Sequence, residues 1–297
     1  MTDPGSPTRL TEGVRRHCGA VAAAARWVTV NEAVELSAGG TEGLDPGLHF
    51  LGAEADEVAR YVLVLDAINF GAGWFPSLEL APGESGTEAI TRRLTEHARR
   101  RGGTWTAEEL DAVAAAEVAG VLGQDPRHEL MTLYATALRQ LGAWLGRASA
   151  LERISAANGS ADRFARMLAT ELPFFEDPGF YKRAQITAND LVHAGVASFE
   201  DIDELTIFAD NLVPHVLRLE GVLSYAPELA AEVDAGRPLP AGSPMEVEIR
   251  ACAVHACERI AEGLGVAPRT LDNWLWNRGE RLPESGHRPH RTFTVFY

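Results

Sequence analysis

The sequence is poor in cysteine, in positive charge, in long apolar runs and in alternating strand patterns, and each shortage excludes something. Three cysteines, Cys18, Cys252 and Cys257, are too few and too unevenly spaced for a disulfide framework. No apolar run reaches the roughly 20 residues that a membrane-spanning helix needs; the best, residues 58–70, is interrupted by Arg60 and Asp66. Residues 1–10 are rich in Pro, Gly, Ser and Thr and lack the cationic-then-apolar order of a signal peptide. With 27 Lys and Arg against 42 Asp and Glu, the net charge is −15, which argues against a broad cationic face for nucleic acid or for an anionic bilayer. A small anion in a local basic pocket stays compatible with that balance. What is present is ordinary globular material, 46% apolar and 23% charged, long enough for one large or two intimate domains. A cytoplasmic protein of a reducing compartment is expected.

Helical signals fill the chain. Over residues 54–70, Val58, Tyr61, Val62, Leu65 and Ile68 recur at three- and four-residue spacing, as an inward helix face requires. Thr106 with Glu109 reads as a capping box before an Ala-rich periodic stretch ending near Gly120–Gly123. Leu130, Leu133, Tyr134, Ala137, Leu138, Leu141 and Leu145 mark another amphipathic helix. Ser243-Pro244-Met245-Glu246 opens a further one, with Ser to cap, Pro for the first turn and Glu at the reciprocal position, running to about Gly263. Gly102–Gly103, Asn158–Gly159 and Gly236 to Gly242 read as loops. Only residues 27–30 and 291–297 read as strands, and no long repeat is visible. The expectation is a mainly α single domain over residues 16–297 with one or two minor β strands, after a disordered tail at 1–15. Residues 158–160 are the weakest seam between two helical lobes.

Four stretches are unusual for a plain helical core. From Asp66 to Pro76 an aliphatic helix runs out into polar residues and a turn holding Gly71, Gly73, Trp74 and Phe75. The glycines allow positive φ and close approach of a ligand, and the aromatics offer a stacking face; a helix C-cap with aromatics tucked inward is the plainer reading. Lys182 and Arg183 stand at a helix start, where the backbone dipole also favours an anion; surface cations pairing with Glu176 or Asp177 are the plainer reading. Asp210, flanked by Phe208, Leu212 and Val213, is a partly desolvated carboxylate suited to catalysis. It also suits an N-cap for the helix containing Val216, Leu217 and Leu219, and the two roles can coexist. The following step, Leu219-Glu220-Gly221-Val222-Leu223, is loosely like the hairpin of helix-hairpin-helix modules. Last, Trp274 and Trp276 cannot share a helix face, so one of them faces a partner or ligand, and His287 to Arg291 is locally basic. Cys252, His255 and Cys257 offer only three metal ligands and read as two core thiols beside a histidine. No metal or cofactor is expected, and no P-loop, G-x-G-x-x-G, G-x-S-x-G or H-E-x-x-H occurs.

Taken in order, these segments resemble one family. They are Asp66, Asn69, Phe70 and Trp74; Phe180-Tyr181-Lys182-Arg183-Ala184-Gln185-Ile186 with Asp190-Leu191; and Phe208-Ala209-Asp210 with Val213-Pro214, Leu217-Arg218 and Gly221-Val222-Leu223. Glu246-Val247-Glu248-Ile249-Arg250, Trp276-Asn277 and His290-Arg291-Thr292 complete the set. From about residue 20 to 297 the chain resembles the queuosine salvage family of queuosine 5′-phosphate N-glycosylase/hydrolases, the Tyr-Lys-Arg-Ala-Gln-Ile and Glu-Val-Glu-Ile-Arg strings being the specific ones. The resemblance implies a predominantly helical fold similar to helix-hairpin-helix DNA glycosylases. It also implies cleavage of the ribose–base bond of queuosine 5′-monophosphate, releasing queuine, a 7-deazaguanine, for reuse in tRNA. By motif position it implies that Asp210 is catalytic and that Lys182 lines the nucleotide pocket, with Arg183, Asn69, Phe70, Trp74, Asp190 and Asn211 at other substrate-side positions. Asn211 stands where the family usually has Tyr, and Asn69-Phe70-Gly71-Ala72-Gly73-Trp74 stands for a shorter Asn-Phe-x-Phe-Trp. Both departures fall where the base is recognised.

Such a reaction makes definite demands. Breaking the C1′–N bond builds positive charge on the ribose, which a carboxylate such as Asp210 stabilises while orienting water. A cation at the other end, Lys182 or Arg183, fixes the 5′-phosphate. A 7-deazapurine lacks N7, so the base departs as an anion stabilised through another edge or is protonated elsewhere, with Asp190, Asn69 or a main-chain donor as candidates. The expected partner is a free nucleotide, without a stable nucleic-acid complex or membrane contact. Two alternatives stand beside this: a glycosidase for a different modified nucleotide or nucleoside, and a non-catalytic helix-hairpin-helix nucleic-acid-binding protein, which the acidic balance opposes.

Overall fold

Capping chemistry sets the helix boundaries. In the computed structural model, which describes residues 9–34, 36, 43–282 and 287–297, Ser85, Thr106, Ser149, Ser160 and Ser243 each accept a backbone N–H from the residue three places on. Thr106–Glu109 and Ser149–Glu152 complete reciprocal capping boxes; at Ser243 the Glu246 carboxylate accepts from Gly242 N instead. The chain runs α1 (Leu10–Ala23), β1 (Val28–Val30), α2 (Ala55–Ala67), α3 (Gly86–Arg101) and α4 (Ala107–Ala112). Next come α5 (Ala115–Leu122), α6 (Glu129–Leu145), α7 (Ala150–Ser155), α8 (Ala161–Glu171) and α9 (Lys182–His193). It ends with α10 (Leu212–Leu219), β2 (Leu223–Tyr225), α11 (Pro227–Asp234), α12 (Pro244–Leu264) and α13 (Pro268–Glu280). The mainly helical class expected from the sequence holds.

Local expectations change at several points. The single helix expected after Thr106 is two, because Val113 takes an extended conformation between α4 and α5. The partner of β1 is β2, antiparallel, with Val28 opposite Tyr225 and Val30 opposite Leu223. The segment 291–297, expected as a strand, contributes one isolated bridge between Arg291 and Pro238, its backbone being committed to the turn around Gly71–Gly73. Gly221, at φ 78°, makes the turn between α10 and β2. Finally, the tail expected over 1–15 is helical from Leu10, because Leu10, Val14 and Cys18 form a buried stripe on α1; residues 1–8 lie outside the described residues.

One continuous hydrophobic core joins Leu10 to Leu275. Its spine is α12, along which α1 lies, with α13, α10 and β1 against it. The helix α6 carries α4 and α5, while α2 rests on α6, α7 and α9, and α8 packs on α9. Asn158 and Gly159, both at positive φ, turn the chain between α7 and α8. Cys18, Cys252 and Cys257 are free and buried, and burial pushes the first two thiols up to about 12. Trp274 and Trp276 are both part-buried against the core. No helix among the described residues is long and apolar enough to cross a membrane.

Candidate active site

Three pieces of chain converge: the C-terminal end of α2, the first turns of α9, and the extended residues 205–211 that lead into α10. The distinctive sequence strings are the ties between them. Arg183 donates through NH1 to the carbonyls of Asp66 (3.1 Å) and Ala67 (2.7 Å), and through NH2 to that of Phe174. It thereby satisfies carbonyls that the end of α2 leaves open. Its guanidinium carbon lies 4.7 Å from the Phe70 ring centroid and 4.4 Å from that of Phe175. Gln185 donates to Phe180 O and Thr206 Oγ1 and accepts from Thr206 N, at 2.9, 2.9 and 3.0 Å, fastening α9 to the extended segment. From α13, Asp272 Oδ1 accepts from Phe208 N at 2.8 Å.

The second string works from α12. Arg250 donates Nε–H to the carbonyl of Ala209 (2.9 Å), the residue before Asp210, and pairs with both oxygens of Asp177 at 2.6 and 3.1 Å. Its guanidinium sits between the rings of Phe180 (3.9 Å) and Tyr297 (4.4 Å). Asp177 in turn accepts from Lys182 N at 3.2 Å, so one buried ion pair holds the approach to Asp210 and the start of α9 together. Tyr181, just before that start, has φ 51°, a left-handed conformation costly for an aromatic residue and kept by the surrounding ties. Glu248 of the same string accepts the N–H groups of Arg26, Trp27 and Val28 and positions β1.

Within this frame lie one ammonium and four carboxyl groups. Asp210 Oδ1 accepts from Leu212 N (2.8 Å) and Val213 N (3.0 Å), capping α10; Oδ2 has no hydrogen-bond partner among the described residues. Lys182 is the only lysine in the sequence and is 5% exposed. Burial lowers the proton affinity of its amine, and Asp210, Asp66 and Asp272 oppose that, yet no carboxylate oxygen among the described residues lies within 4.0 Å of Nζ. Burial raises the Asp272 carboxyl to about 8, with Asp210 adding to it, and the part-exposed Asp190 to about 6 against the opposing Asn189 and Lys182. Asp66 is fully buried and held well above the ordinary carboxylate range, by burial first and then by Asp190. Asn69 and Thr187 stand beside it and favour the charged form, but neither reaches hydrogen-bonding geometry with its carboxyl oxygens. An ammonium surrounded at a distance by carboxyl groups, and bonded to none, suits a polar molecule inserted between them.

The structure brings together Lys182, Asp190 and Asp210, with Asn69 beside Asp66, and redistributes the other expected site residues. Arg183 is neither a surface cation nor a phosphate ligand, because two of its nitrogens are spent on carbonyls and its faces on aromatic rings. The helix start expected to hold a phosphate has its first N–H taken by Asp177. Phe70 is 2% exposed and packs edge-on against Tyr134 and Phe174, which makes it core rather than a stacking face. Trp74 donates to Glu129 at 3.0 Å and meets Phe293 edge-on; it opens on a groove of about 720 Å³ with Ser77, Leu133, Arg291 and Phe293, none of the site carboxylates contributing. Asn211 donates to His290 O at 3.4 Å. Gly71 and Gly73 serve packing instead of ligand approach: Gly71, at φ 100°, donates to Tyr297 O, and a Cβ on Gly73 would overlap the Thr292 carbonyl.

Four residues have no site role assigned from the sequence, Asp66 and Asp272 in the cluster and Asp177 and Arg250 behind it, although Asp66 and Arg250 stand in the motif strings. A signal existed for two of them. Asp66 interrupts an otherwise aliphatic helix face, and Asp272 adjoins Leu271 on the inward face of α13; a carboxylate inside an apolar stripe announces a buried acid.

Fold and side-chain cluster define a helical protein with one buried lysine set among four carboxyl groups. More particularly, the chain belongs to the queuosine salvage protein family, whose model matches residues 48–297. It is 34% identical over 267 residues, 82% of each chain, to a Sphaerobacter thermophilus protein named queuosine 5′-phosphate N-glycosylase/hydrolase. A protein of the same name from Dictyostelium discoideum is 31% identical over 261 residues, 80% of this chain and 78% of that one. Another from Mus musculus is 31% identical over 175 residues, about half of each.

Proposed function

We propose that this protein is an N-glycoside hydrolase that cleaves the ribose–base bond of queuosine 5′-phosphate, or of a related 7-deazaguanine nucleotide, and frees the base for tRNA-modification salvage in the cytoplasm. The observation that carries the reading is the division of Asp210: one oxygen anchored by two helix N–H groups, the other without a partner among the described residues and in the field of Lys182. A carboxylate so fixed needs no reorganisation to meet positive charge developing on the sugar, and it is placed to take a proton from the attacking water. Lys182, the buried cation of the site, is assigned to the 5′-phosphate, so that binding remote from the bond positions the sugar. Asp190 and Asn69 are assigned to the base and Asn211 to its periphery. The names of the relatives in both comparisons support the substrate.

Purified protein incubated with queuosine 5′-phosphate, queuosine and guanosine 5′-phosphate tests this. Free queuine from the first, far less product from the second and none from the third is the expected result. Because Asn211 and the Gly71–Gly73 turn depart from the family pattern, a differently substituted 7-deazaguanine nucleotide is the second substrate to try. Binding to duplex or tRNA without base release would point instead to the nucleic-acid-binding reading.

A further inference from the structure

Asp210 and Lys182 leave one demand unmet, the departing base. A 7-deazaguanine has no N7 to protonate, and charge builds on it as the glycosidic bond breaks. A donor already in place at that edge would lower the barrier. Asp66 has the required state. It lies in the last turn of α2 with 0% exposure, and both of its carboxyl oxygens are buried without a hydrogen-bond partner among the described residues. An ionised carboxylate is strongly disfavoured in such a place, whereas a neutral carboxyl is tolerated. The negative end of the α2 dipole adds to the preference. The charged and titratable groups that interact with it are Asp190, Lys182 and Arg183 on α9 and Tyr61 on α2. Of these, Arg183 commits both terminal nitrogens to carbonyls, including Asp66's own, and its buried Nε–H bonds to no group among the described residues, while Lys182 stands off beyond ion-pair distance. Asp190, part-exposed, is the charged neighbour that acts most on Asp66.

We propose that Asp66 is the acid of the reaction, a carboxyl kept neutral by its surroundings that donates to the ring edge of the base and gives up its proton as the base leaves. The inference rests on the glycoside-hydrolase reading above. The C1′–N bond breaks and its electron pair stays with the base, which takes the Asp66 proton. Water oxygen bonds C1′ and its proton goes to Asp210. Asp210 then releases its proton to solvent and one returns from solvent to Asp66, so that the net reaction consumes one water and nothing else.

Asp66→Asn keeps the shape and a hydrogen-bond donor but has no proton to transfer. Two nucleotides separate the possibilities: queuosine 5′-phosphate, and 7-methylguanosine 5′-phosphate, whose base already carries positive charge and departs neutral. The expected result is a kcat loss of at least about 100-fold on the first and less than about 5-fold on the second, with a thermal midpoint equal to or above that of the unaltered protein. The unaltered protein should lose kcat on queuosine 5′-phosphate as pH rises, since the protonated carboxyl is the active form, and the variant should lack that alkaline limb. Unchanged kcat on queuosine 5′-phosphate, an alkaline limb retained in the variant, or equal losses on both nucleotides with a lowered midpoint would overturn the proposal. Failure of the unaltered protein on queuosine 5′-phosphate would instead overturn the functional reading on which it stands.

Discussion

With Oδ1 of Asp210 accepting two helix N–H groups and Oδ2 without a partner among the described residues, replacement by Asn keeps the cap and removes the charge. Asp210→Asn should lower kcat by roughly 100- to 1,000-fold while leaving the thermal midpoint nearly unchanged. Asp210→Ala should in addition lose about 1 kcal/mol of stability with the cap. Retained turnover in the Asn variant would remove Asp210 from its role. Lys182 permits an equally local test. Lys182→Met preserves length without charge, and kcat/KM for queuosine 5′-phosphate should fall up to about 100-fold, the worth of a charge-assisted bond, with a much smaller effect on unphosphorylated queuosine. Equal losses on both would place the ammonium at the sugar or base. Asp210 and Lys182 are legible in the sequence because each sits at an element boundary with a recognisable local context. Arg183 misleads because a cation beside a cation reads as surface until the packing of Phe70 and Phe175 around it is known. Asp66 stands in the first motif segment without a role there, because a lone acid in an apolar helix has its meaning fixed only by what the fold brings opposite.

Helices announce themselves through caps and three-to-four spacing, and α2, α6 and α12 fall where those signals put them. A three-residue strand such as β2 is too short to alternate legibly, so its pairing with β1 follows from tertiary contact alone. The ties between elements are equally silent: Glu-Val-Glu-Ile-Arg is recognisable as a string, but nothing local says that Arg250 holds Ala209 and Asp177. Arg250→Met leaves Asp177 buried without its partner and should cost roughly 3–5 kcal/mol, read from urea unfolding. It should also slow turnover, because both Asp210 and Lys182 lose an anchor. A loss below about 1 kcal/mol would show that the pair is not central to the frame.

At the scale of the whole molecule, a net charge of −15 does not describe the site, where protonation offsets much of the formal acidity. Asp272, raised to about 8, Asp190, raised to about 6, and Asp66 bind protons in the folded state that the unfolded chain releases near pH 4. Their contribution is full below that value and is lost as pH rises through the folded-state values. His215 and His290, lowered by burial to about 4 and about 3, act oppositely between there and about 6.5. Above pH 6.5 the histidine effect is spent and the carboxyl effect continues. Stability should therefore fall between about pH 6.5 and 8, at up to about 1.4 kcal/mol per unit for each ionising group. Asp272→Asn, whose amide oxygen can still accept from Phe208 N, should flatten the decline in a thermal-shift series; an unaltered slope would contradict the assignment. The central claim, hydrolysis of a nucleotide's glycosidic bond with Asp210 at the sugar, is tested most directly by mass spectrometry of the products formed from queuosine 5′-phosphate in ¹⁸O-labelled water. The expected products are unlabelled queuine and ribose 5-phosphate carrying one ¹⁸O at C1′, formed by the unaltered protein and not by Asp210→Asn. Unconsumed nucleotide, label in the phosphate, or equal product from the variant would contradict it.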